Sequence, residues 1–145
     1  MRGLKVLTVI AFVLTTILVL VPAKQAQAQG PAYLHAISDL RSARAYLLSD
    51  RFPGESKARE RAIEEINHAL DEMKRAAVDD GKNPSETPPP QSGGNPSLPV
   101  HTAVKLLREA RGDIDHGRDR PENQGLRERS IEHIDRALDA LTPFL

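Results

Sequence analysis

Cysteine and tryptophan are absent from this 145-residue chain, and aromatic side chains make up only 3% of it. Without cysteine there are no disulfides, no thiolate metal ligands and no c-type haem attachment, so packing alone must hold any fold together. So few aromatics exclude a nucleic-acid stacking platform and an aromatic cation cage. Basic and acidic residues balance at 20 each, with both signs interspersed. There is no basic stripe of the kind that binds nucleic acid. A long apolar run occurs once, at the N-terminus.

That run, Val6 to Val21, is interrupted only by three threonines, follows the basic Arg2 and Lys5, and is broken by Pro22. Ala26-Gln27-Ala28 supplies a small-x-small cleavage pattern, so residues 1–28 read as a secretory signal removed after Ala28. The alternative is a retained anchor, but a span needs about 20 apolar residues. Cleavage would remove three basic residues and leave a mildly acidic chain in the periplasm or outside the cell, with no stable membrane insertion.

What is present is a repetition. Leu40-Arg41-Ser42-Ala43-Arg44 returns as Leu107-Arg108-Glu109-Ala110-Arg111, 67 residues on. The stretch from Arg59 to Asp71, Arg-Glu-Arg-Ala-Ile-Glu-Glu-Ile-Asn-His-Ala-Leu-Asp, returns from Arg127 to Asp139, 68 residues on. A nearly constant offset across two blocks predicts a duplicated unit of two helices. The expected organisation is a first hairpin over 29–82, a linker over 83–99 and a second hairpin over 100–145.

Apolar residues at spacings of three and four predict helices over about 32–49, 56–79, 100–116 and 124–141. Their stripes are Ile37/Leu40/Ala43/Leu47, Ile63/Ile66/Leu70/Met73/Ala77, Ala103/Leu107/Ala110/Ile114 and Ile131/Ile134/Leu138/Leu141. Arg51-Phe52-Pro53-Gly54 should end the first helix and Gly81 the second. Asp119 or Asn123 should cap the fourth. Six prolines and Gly93-Gly94 within 83–99 read as an extended or mobile linker, expected to carry no fold information and to be open to proteolysis. The predicted fold class is all-α: a four-helix bundle from two tandem hairpins. A homodimer that swaps hairpins across the linker is the other solution.

The candidate chemistry is sparse. Arg44 and Arg111 border their stripes, either as paired guanidinium groups facing an anion or each paired with a carboxylate on the partner helix, such as Glu60, Glu64, Glu128 or Glu132. His68 has Glu64, Asp71 and Glu72 on its own helix face, a set that could hold a divalent cation weakly. The plainer interpretation is a solvated acidic face. His133, flanked by Arg129 and Arg136, should contribute little. Glu65-x-x-His68 matches half of a di-iron motif, but its counterpart, His133-Ile134-Asp135-Arg136, cannot serve. Asp113 to Gln124 fails as a calcium loop, with Arg118 where glycine is needed and Gln124 where glutamate is. No nucleophile–base arrangement stands out, so no enzyme is expected.

The run Met73 to Asn83, after the Ile63/Ile66/Leu70 seam and the Leu-Arg-x-Ala-Arg segment, resembles a group of exported, uncharacterised bacterial helical-hairpin repeat proteins. More loosely, Ala-Val-x-x-Leu-x-x-Ala and Ile-Glu-His-Ile-Asp-x-Ala-Leu are similar to the periplasmic small metal-binding protein family, whose members imply a four-helix bundle and copper-type binding through histidine rows. His116 and His133 fall where that pattern favours histidine. The expectation is an exported, non-catalytic binding module, monomer or homodimer, needing no cofactor, whose partner is an unknown protein or envelope component. The alternative is a periplasmic divalent-metal binding protein.

Overall fold

Ser56 opens the longest helix because its extended backbone lets its Oγ accept the N–H of Ala58 at 3.1 Å, an N-cap bond. Gly81 closes that helix: its φ of +69° costs a glycine nothing. There the N–H groups of Gly81 and Lys82 reach back to Val78 and Ala77, which satisfies two end carbonyls. The structure, a computed structural model, describes residues 32–52, 56–117 and 121–145. Residues 1–28, expected to be a signal, and part of the Arg51–Gly54 turn lie outside the described residues.

Four α-helices and no strands occur among the described residues: α1 (Ala32–Leu47), α2 (Lys57–Asp79), α3 (Pro99–His116) and α4 (Gln124–Leu141), with short 3-10 turns at Pro121–Asn123 and Thr142–Phe144. The protein is all-α, a helical bundle. None of these helices is long and apolar enough to cross a membrane. Asn123 precedes α4 but does not cap it with its side chain; its amide donates instead to the carbonyl of Ala76 on α2. Asn123 thus stands at the expected N-cap position without making the side-chain bond of a cap, and Asp119 lies outside the described residues. Arg127 takes over the end of α3 by donating to the carbonyls of Ile114 and Asp115.

The most extensive packing joins α1 to α3 and α2 to α4; contacts of α1 with α2 and of α3 with α4 are lighter. Most of the predicted stripes lie inside, with Ile37, Leu40, Leu47, Ile66, Met73, Leu107, Ile114, Ile134 and Leu141 fully buried, while Ile63, Ile131 and Leu138 are half-buried at the edge of the core. Between them sit Ala36, Ala43, Ala62, Ala69, Ala76, Ala103, Ala110 and Ala137. Such small side chains let helix axes approach closely.

The segment 83–98 departs from its expectation. It has no helix, as predicted, but it is strapped across α1 and α3. Arg41 donates to the Pro84 carbonyl at 3.1 Å, the Gln91 N–H donates to Asp39 at 3.0 Å, and the Gln91 amide and Ser92 hydroxyl bond to Asp113 and Glu109. Thr102 ties Asn95 from both sides. Gly94 faces Tyr46 so closely that a Cβ there would overlap the phenol. The prolines prevent helix but not docking, so the segment does carry fold information.

Candidate functional site

The four residues that share a face in sequence are drawn apart by the packing of α2 on α4. Glu72 receives both guanidinium arms of Arg129 at 3.0 Å, and that bond holds its carboxyl below the usual carboxylate range. Asp71 pairs with Lys74 at 3.4 Å, and Glu64 is exposed. His68 stacks on His133 instead, with ring centroids 5.0 Å apart and planes 26° from parallel. Among the described residues no group of three or more histidines and acids is arranged to hold a metal ion.

The sequence sets His133 apart between its two arginines, yet in the structure it is the best-connected imidazole. Its Nδ1 lies 2.6 Å from Glu65 Oε2, and both side chains are mostly buried. Arg129 is turned away to Glu72, while Arg136 reaches Glu132 at 3.2 Å and also lies 3.9 Å from Glu65 Oε2. Helix-face reasoning misses this because it treats each helix alone. The repeat holds the signal: Glu65 and His133 are 68 residues apart, the offset of the second repeated block, so they occupy matching positions on helices that pack together.

The two repeated arginines behave differently from each other. Arg111 makes a two-pronged bond to Asp135 on α4 at 2.7 and 3.3 Å, which raises its pKa. This is an acid partner of the expected kind, though none of the four glutamates named from the sequence. Arg44 has a buried Nε without a hydrogen-bond partner among the described residues.

A second polar cluster lies where the strap crosses α1 and α3. Asp39 is fully buried. Its pKa rises to about 6, first because burial penalises the carboxylate and then because Glu109 and Asp113 add negative charge; the Gln91 N–H pulls the other way. One oxygen of Asp39 and one of Glu109 are buried without partners among the described residues. The hydroxyl beside these acids is that of Ser92, which donates to Glu109.

An open depression of about 550 Å³ lies between the start of α2 and the end of α4, lined by Lys57, Ala58, Arg61, Arg136, Asp139, Ala140 and Pro143. It holds three cations and one acid over a floor of small apolar residues. No family model, curated protein or solved structure matches the chain.

Proposed function

We propose that the chain is an exported, non-catalytic binding module of the bacterial cell envelope, built by duplication of a helical hairpin with residues 83–99 joining the copies. Its place is periplasmic or extracellular after loss of residues 1–28, and its partner is a protein or another envelope component. The observation that carries this reading is how the polar side chains are used. Arg111–Asp135, Arg129–Glu72 and His133–Glu65 tie helix to helix over an aliphatic core, and none converges with a nucleophile or base on a cavity. The duplication is supported by the pairing of like helices and by the contact between matching positions 65 and 133. The resemblance to exported helical-hairpin repeat proteins agrees with this reading.

One observation favours a second reading, weak binding of a divalent metal. The packing brings a second imidazole, His133, onto His68, so small ring rotations could offer two nitrogen ligands to copper, nickel or zinc. Thermal shift of metal-free residues 29–145 against these three ions separates the readings. A ligand that binds the native state raises stability as RT ln(1 + [L]/Kd). The module reading expects no shift. A saturable rise that His68→Ala abolishes would establish the metal reading in its place.

A further inference from the structure

The pairing of Arg129 with Glu72 has a counterpart position in the other half of the α2–α4 interface, and that counterpart is incomplete. Shifted by the repeat offset of 68, Arg129 becomes Arg61 and Glu72 becomes Ala140. The arginine is kept and the carboxylate is missing. Arg61 is exposed and has no ion-pair partner among the described residues. Both Arg61 and Ala140 line the depression of about 550 Å³, with Lys57 and Arg136 beside them. Where Glu72 fills the space on one side of the interface, a methyl group on the other leaves it open.

We propose that this depression is a binding site for a small carboxylate carried on an apolar body, whose carboxylate takes the place against Arg61 that Glu72 takes against Arg129. The reading rests on the duplication proposed above. The charge favours an anion: Arg136 is engaged by Glu132 at 3.2 Å and Glu65 at 3.9 Å, which leaves Lys57 and Arg61 against Asp139. A planar guanidinium matches a carboxylate in a two-pronged bond, as Arg129 does with Glu72 at 3.0 Å on both arms. The first turn of α2, with Lys57 and Ala58 in the lining, adds a favourable dipole. Ala58, Ala140 and Pro143 give an apolar wall, which favours a hydrocarbon stem over a free inorganic anion.

Benzoate is a suitable probe, with acetate and inorganic phosphate as comparison arms, titrated into residues 29–145 and followed by NMR at the Arg61 side chain and the Ala140 methyl. The expected result is saturable binding of benzoate, tighter than acetate or phosphate, with shifts at both groups. Arg61→Ala should weaken it about tenfold or more, because a charge-assisted two-pronged bond is lost. Ala140→Glu should weaken it by at least as much while leaving the fold intact, because the chain then fills its own site. No saturable shift at Arg61 with benzoate, or binding that both substitutions leave unchanged, overturns the proposal. Phosphate binding more tightly than benzoate overturns the carboxylate assignment. Ala140→Glu also keeps the two readings apart. If the introduced carboxylate pairs with Arg61 in a protein whose parent ignores benzoate, the duplication is upheld and the site is ended. Benzoate binding at Arg61 in the parent, with no such pair in the variant, upholds the site and counts against the duplication.

Discussion

Asp39 is the side chain whose chemistry departs most from its ordinary behaviour. In sequence it looks like any acid on a helix, since burial by a strap 52 residues further on leaves no local trace. Its native pKa of about 6 stands above the ordinary 3.8, so between these values the folded protein holds a proton that the unfolded chain has released. Its contribution to stability is therefore largest below about pH 4 and is lost as pH rises through 6, by roughly 2–3 kcal/mol. Urea unfolding of Asp39→Asn should lack that fall, and the variant should be more stable than the parent at pH 7.5. A parent whose stability relative to the variant does not change between pH 4 and 7.5 would refute the assignment. Gly94 is the other residue that the strap makes critical. Gly94→Ala should lower stability by about 1–3 kcal/mol, as overpacking does, and Tyr46→Ala should relieve most of that loss in a double-mutant cycle measured by the same unfolding.

Among the elements, the helices were legible because their stripes repeat every three to four residues, and the predicted bounds of α4 match the structure. Gly81 was legible because a glycine after the last periodic residue has one common use. Its replacement by alanine forces a Cβ into the left-handed region and should cost about 1 kcal/mol in thermal or urea unfolding. The strap was not legible, because proline and glycine content reports what a segment cannot form, not what it rests on. The polar set around His68 was only partly so. Spacing places residues on a face, but the facing helix decides their partners, and α4 claims Glu72 and His68 for itself. The paired arginine of α3 illustrates how little such contacts weigh: Arg111→Ala should cost less than about 1 kcal/mol, since the pair is close to half exposed. Ile66→Ala, at a fully buried site in α2, should cost about 2–5 kcal/mol in the same assay.

Across the whole molecule α1 lies on α3 and α2 on α4, and their apolar stripes meet in one aliphatic core. This pairing of like helices underlies both the proposed duplication and the proposed carboxylate site, since each needs matching positions to meet. The most direct measurement is the nuclear Overhauser effect between the imidazole protons of His68 and His133 in metal-free protein kept in EDTA. The stacked rings, 5.0 Å apart between centroids, predict a clear cross-peak alongside a mainly helical far-UV spectrum. Helical protein in which that cross-peak is missing, or arises only after metal is added, would contradict the packing of α2 on α4.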